Sequence, residues 1–239
     1  SFLAQNVRPD GRSPLQRRRF AVRAAPTGGF VGVLGATKVL VRVLSLVGPP
    51  VDSEDAQADL QANVWLWGGA SGRAVQQREL QLSHLLKQWL QGVVPEAPQL
   101  LIQKDVAAWH LRVEGVVLSD AGNVAEALGS AAFHALQACR LPPVEMVDGI
   151  AYEVDGEGVA LELDGTVHVC GIGVFKDQLL RDPVSSEMDF LDCVVWVVHD
   201  GQRHVCAVHK EGAKAISTDT LDRCIDMALD EVPQAAATV

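Results

Sequence analysis

Apolar and polar positions along this chain fall into short alternating or continuous blocks typical of strands, broken by three- and four-residue spacings typical of helices. From Gly29 to Val41, a short apolar strand, a reversal at Gly35 to Thr37 and a Val/Leu-rich strand predict a β-hairpin. Val64-Trp65-Leu66-Trp67 reads as a strand ended by Gly68-Gly69. Between Arg78 and Leu90, Leu82, Leu85, Leu86 and Trp89 form one apolar stripe, which predicts an amphipathic helix. Trp109 to Leu118 alternates and then turns fully apolar, as a buried strand does. A turn at Asp120-Ala121-Gly122-Asn123 leads into a helix from Ala125 to Cys139. Its Ala131, Ala132, Ala135 and Ala138 permit close approach to a sheet, and Pro142-Pro143 is expected to stop it.

The second half repeats this logic. Several strands are expected from Ile150 to Val208, with reversals at Asp155, Asp164 and Asp200. A last helix begins after an N-cap at Ser217 or Thr218 and turns Leu221, Ile225, Ala228 and Leu229 inward. Strand-rich blocks each closed by one helix predict an α+β fold of layered sheets covered on one face. No linker interrupts the chain, so residues 1–239 are read as a single domain with an internal pseudo-repeat.

Composition narrows the classes. A hydrophobic fraction of 48% supports a sizeable core, and aromatics at 5% leave Val, Leu and Ala to do most of the packing. No apolar run is long enough to span a bilayer, and no charged-then-apolar leader opens the sequence, so neither a membrane partner nor secretion is expected. The sequence opens on Ser1 rather than Met, so a preceding segment is expected. Five scattered cysteines, never paired as C-x-x-C, predict buried thiols in a reducing compartment rather than disulfides or a zinc ribbon. A net charge of −10 opposes generic nucleic-acid binding, which needs a basic surface. Charge is uneven, however: Arg17-Arg18-Arg19 is the densest basic run, read as a solvated strand edge or terminal arm, and 52–59 is an acidic surface loop.

The turn Arg8-Pro9-Asp10-Gly11-Arg12, followed by the hairpin ending Gly35-Ala36-Thr37-Lys38-Val39, resembles the opening of RNase PH-superfamily proteins. Four further blocks follow in that family's order: Glu79-Leu80-Gln81-Leu82-Ser83; Asp120-Ala121-Gly122-Asn123-Val124-Ala125-Glu126-Ala127; Asp182-Pro183-Val184-Ser185-Ser186-Glu187 with Asp192; and Cys206-Ala207-Val208-His209-Lys210-Glu211-Gly212. The middle two are most similar to non-catalytic ring subunits of the eukaryotic RNA exosome, and Phe2-Leu3-Ala4-Gln5-Asn6 resembles the lead-in of one such subunit. The resemblance implies an RNase PH-like (ribosomal protein S5 domain 2-like) α+β fold and a hexameric ring of RNase PH-like exosome subunits. It further implies S1/KH cap proteins on one face, single-stranded RNA threading the channel to an associated exoribonuclease, and residence in the nucleus, nucleolus and cytoplasm.

Phosphorolysis demands fixed cations around a phosphate cluster. Catalytic members of the family carry Gly-Gly-Thr-Arg after the turn; here the matching position is Val124. Their first long helix bears basic residues where this chain offers His84, Lys87, Gln88 and Gln91. The expectation is therefore an inactive copy with no catalytic residues, metal or cofactor. Asp182, Asp189 and Asp192 are read as solvated turns and a strand-end hydrogen bond. Arg73, Arg78, His84 and Lys87 are the candidates for RNA contact, unless they merely solvate a helix. Two other readings stay open: an active phosphate-dependent 3′-to-5′ exoribonuclease, and an α+β small-molecule binder unrelated to RNA. The glycines from 28 to 35 lack the Gly-Lys-Ser/Thr ending and helix of a phosphate-binding loop. His168, His199, His204 and His209 lack zinc-ligand spacing and are read as surface or core histidines.

Overall fold

The structure is a computed structural model that describes residues 3, 7–50, 59–68, 72–94, 99–230 and 237–238. Its first half comprises β1 (Phe20–Ala24), β2 (Phe30–Leu34), β3 (Thr37–Gly48), β4 (Leu60–Leu66), α1 (Arg73–Gln91), β5 (Leu101–Gln103), β6 (Ala107–Ser119) and α2 (Val124–Gln137). Short strands follow: β7 (Arg140–Leu141), β8 (Val144–Val147), β9 (Ile150–Glu153) and β10 (Val159–Ala160). The second half contains β11 (His168–Phe175), β12 (Gln178–Arg181), α3 (Ser185–Met188), β13 (Cys193–His199), β14 (Val205–Glu211), α4 (Thr218–Leu229) and β15 (Ala237–Thr238). The mixed α/β class expected from the pattern is the one observed.

A seven-stranded sheet runs β15-β1-β2-β3-β6-β4, with β5 also on β6. The predicted hairpin is β2–β3, closed at Leu34↔Thr37. β4 lies parallel to β6, which requires a crossover, and α1 supplies it. The stripe Leu82, Leu85, Leu86 and Trp89 is buried with Leu90 against this sheet; each fully buried leucine contributes about 1.5–3 kcal/mol. The second sheet is antiparallel, ordered β12-β11-β13-β14.

Between the sheets lies α2, which its small residues allow. A Cβ on Gly32 of β2 would sit 2.9 Å from Ala131 Cβ, and one on Gly129 would sit 2.6 Å from Val169 of β11. Ala131, Ala132 and Ala135 are buried as predicted, but Ala138 is exposed beyond the helix end. The prolines do not stop α2: it ends at Gln137, and β7 intervenes before Pro142.

The second sheet is covered on both faces, not one. Val194, Trp196 and Val198 of β13 join the core around α2. Cys193, Val195 and Val197 of the same strand pack with Cys170 and Ile172 against Cys224 and Ala228 of α4. Burial on both faces explains why β13 reads as an unbroken apolar run. Helix α4 starts at the predicted N-cap, Ser217, whose Oγ accepts from Thr220 N at 3.1 Å. All five cysteines are thiols, yet Cys206 is exposed on β14 rather than buried.

Candidate functional site

Three of the motif blocks, Arg8–Arg12, Asp120–Ala127 and Asp182–Glu187, converge on one buried node of guanidinium and carboxylate groups. Asp182 is fully buried with φ of 48° just past β12. Arg18 grips its carboxylate from Nε at 2.7 Å and Nη2 at 2.6 Å, and Arg12 Nη1 adds a bond at 2.9 Å. Asn123 Nδ2 donates to Asp182 Oδ1 at 2.9 Å and to Glu126 Oε2 at 2.6 Å. Glu126, on the first turn of α2, also takes Arg17 Nε at 2.6 Å and Gly171 N at 2.7 Å. Below them Arg8 and Glu187 form a bidentate pair at 2.8 and 2.7 Å, both almost wholly buried. Arg8 also donates to the carbonyls of Arg181 and Asp182 at 2.8 and 2.9 Å.

The backbone is bent to serve this node. Asn123 sits in the left-handed region at φ 57°, which asparagine tolerates, and its side chain reaches sideways instead of capping α2. Gly122 before it has φ 94°, and a Cβ there would strike Ser185 N at 2.4 Å. Arg18 donates to the carbonyls of Ala121 and Gly122, while Thr37 Oγ1 holds the Gly122 carbonyl at 2.8 Å.

Two expectations are overturned here. Arg17 and Arg18 are not a solvated arm; they clamp buried acids, and only Arg19 of the triplet is exposed. Of the three aspartates read as solvated turns and a strand-end hydrogen bond, Asp182 does not fit. Asp182 is inside the node, and Asp189 is exposed. Asp192 lies at the entry to β13, accepting from Lys214 Nζ at 2.5 Å and Lys176 N at 2.8 Å. Burial by itself would raise the Asp182 pKa, but Arg18 and Asn123 outweigh it and hold the carboxyl below its ordinary value. Because the unfolded chain then binds the proton more tightly, the Asp182 contribution is whole above about pH 4 and lost as pH falls through the depressed folded value. Urea midpoints measured from pH 6 to pH 2 should fall steeply, and Asp182→Asn should flatten that fall.

Above the node, at the head of α2, is a cleft of about 320 Å³ lined by Arg78, Asp120, Gly122, Asn123, Val124, Ser185, Met188, Asp189 and Trp196. Val124 is the first residue of the helix and 3% exposed, so at the helix N-terminus the cleft is lined by an uncharged, core-packed side chain and not by a cation. Among the described residues lining the cleft, Arg78 is the one cation, and Glu211 of β14 holds its Nη1 with both carboxylate oxygens at 2.9 Å. Exposed Asp120 and Asp189 add negative charge at the rim. Such a lining repels phosphate. A roomier groove of about 470 Å³ lies between β12 and α4, but its two guanidinium groups, Arg181 and Arg223, donate to the carbonyls of Met227 and Asp177.

The four RNA-contact candidates all lie on α1 but not together. Arg73 and His84 are exposed, Lys87 faces Asp59 at 3.5 Å, and Arg78 is turned into the cleft. At about 100° per residue, Arg73, His84 and Lys87 share one face, with Arg78 roughly 150° around from its centre. His168 stacks on His199, His204 pairs with Asp200, and His209 stacks on Trp196. Among the described residues, no group of three His, Cys, Asp or Glu side chains is placed to hold a metal.

Comparison with known proteins bears on the family and the fold. The model for domain 1 of the 3′ exoribonuclease family matches residues 25–142, and that for domain 2 matches residues 165–231. The chain is 22% identical to exosome complex component Rrp42 of Methanothermobacter thermautotrophicus, over 98% of this chain and 89% of that protein. It is 25% identical to RRP45 of Danio rerio, over 97% of this chain and 62% of the relative. With rrp43 of Schizosaccharomyces pombe it shares 21% over 95% and 88%. An archaeal exosome core superposes with a TM-score of 0.81 at 21% identity, covering 95% of this chain and 89% of that one. The Archaeoglobus fulgidus exosome with RNA bound to the active site gives 0.80 at 20% identity, covering 95% and 91%. With two family models spanning about three quarters of its length, the chain belongs to the 3′ exoribonuclease family of RNase PH domains.

Proposed function

We propose that this chain is a structural subunit of the RNA exosome core ring, without phosphorolytic activity of its own. It builds the channel wall through which single-stranded RNA reaches a separate exoribonuclease. The observation that carries the reading is the cleft: Val124 puts an uncharged side chain at the helix N-terminus, and Arg78 is neutralised by Glu211. Losing one fixed guanidinium from such a site costs several kcal/mol of charge stabilisation. Among ring-subunit types the lead-in Phe2–Asn6 is most like ribosomal RNA-processing protein 43; Phe2 and 4–6 lie outside the described residues.

The outer face of the larger sheet supports an assembly role. Val31, Leu40, Val116 and Trp65 align across β2, β3, β6 and β4. Beside them Trp67 is 75% exposed and Leu118 is also exposed. No described helix covers this face, because α1 and α2 pack on the other one. It suits the apolar contact of an obligate partner, which here is another RNase PH-like subunit, with S1/KH caps above. Residues 1–239 act as one folding unit, and the protein works in the nucleus, nucleolus and cytoplasm.

The test is phosphorolysis. A ring reconstituted with this chain, given phosphate and labelled single-stranded RNA, should release no nucleoside diphosphate attributable to it. Asp192→Asn should leave turnover within about twofold of the parent ring, because Asp192 faces Lys214 and not the cleft. Loss of diphosphate release on Asp192→Asn, with the partners untouched, would establish the enzyme reading instead.

A further inference from the structure

The hairpin β8–β9 forms a two-stranded sheet of its own. Its turn is Asp148-Gly149, with φ of 52° and 79°, the positive pair that a type I′ turn demands. Cross-strand register puts Val147 against Ile150 and Glu145 against Tyr152, so these four share one face. On that face Val147 is 51%, Ile150 56% and Tyr152 49% exposed. The opposite face holds Val144, which packs on the main core, half-buried Ala151, and Met146 and Glu153, which are exposed at its edge. A lone two-stranded hairpin is marginally stable in water, and this one presents its apolar side outward.

The charge along this stretch of chain is one-sided, although Glu157 is paired with Arg140 of β7 at 3.4 Å. Residues 143–167 carry seven of the chain's 30 acidic residues and none of its 20 basic ones. Glu145, Asp148 and Glu153 are on the hairpin itself, and four more acids follow by Asp164. This excludes two occupants on physical grounds. A nucleic acid would bring phosphates against the acids, and a second copy of this hairpin would set like charges face to face.

We infer that the β8–β9 hairpin is a docking element for a basic protein partner, one offering an apolar groove rimmed by Lys and Arg. Val147, Ile150 and Tyr152 fill the groove, and the acids steer and orient the encounter. The inference rests on the ring-subunit reading, because the partner is sought among the proteins of that assembly.

The experiment reconstitutes the full chain with the remaining exosome subunits, adding each positively charged subunit singly. Two variants are compared with the parent: Val147→Asp with Ile150→Asp, and the isosteric set Glu145→Gln, Asp148→Asn and Glu153→Gln. Asn-Gly supports the same turn, so the isosteric set keeps the hairpin. The apolar variant should abolish retention of one basic subunit. The isosteric variant should weaken it by roughly tenfold and flatten its salt dependence. Equal retention of every subunit by both variants overturns this inference alone. So does a change in RNA affinity or self-association with all proteins retained. Recovery of the parent chain with no other subunit overturns the ring reading and this inference with it.

Discussion

Asp182→Ala should destabilise the fold by about 3–5 kcal/mol, a large share of the roughly 5–15 kcal/mol that holds a domain together. The carboxylate is the common acceptor for Arg12, Arg18 and Asn123, and it is fully buried. Removing it leaves two guanidinium groups facing each other in a poorly hydrated space, which costs more than the attraction itself. Damage should also spread, because Arg18 ties the 121–122 turn to the chain entering β1. Asp182→Asn should fall between the two, since its amide oxygen still accepts but its NH₂ confronts donors. Urea melts of the three proteins, with exposed Asp155→Ala as a surface control near zero, would check this. An Asp182→Ala midpoint equal to that of the control would mean that the node is not structural.

The same node marks where the sequence was legible and where it was not. Period and turn chemistry revealed the helices α1, α2 and α4 and the hairpin β2–β3, because a stripe such as Leu82-Leu85-Leu86 is a local property. The role of Arg17 and Arg18 was hidden because their partners are 109 and 164 positions away. A run of three arginines looks solvated until its acids are found. One clue was present: Glu126 interrupts an apolar, Ala-rich helix, and a charge there must be paired. The β8–β9 hairpin was passed over although Val147-Asp148-Gly149-Ile150 carries a strong turn signal, since the strands beside it are short and exposed. Of the cleft, Val124 was readable from its place after the turn. That Glu211 holds Arg78 was not, because β14 meets α1 only through the tertiary fold.

Restoring cations to the cleft tests what silenced it. The double variant Val124→Arg with Glu211→Gln should acquire an orthophosphate site that the parent chain lacks. The introduced side chain would start the helix beside its unsatisfied N–H groups, where a guanidinium and the helix N-terminus act on one anion. Releasing Arg78 from Glu211 supplies a second cation against Asp120 and Asp189. At phosphate about a hundredfold above its Kd, binding adds about 2.7 kcal/mol to stability, which appears as a rise in melting temperature for the variant and none for the parent. Turnover should stay absent, because Asp182 and Asp192 remain engaged by Arg12, Arg18, Lys176 and Lys214, away from the cleft. A parent chain that is itself stabilised by phosphate would sink the argument, since its cleft would then hold an anion despite Val124 and the neutralised Arg78. A double variant that gains nothing would show instead that the cleft walls, and not the missing charge, keep phosphate out.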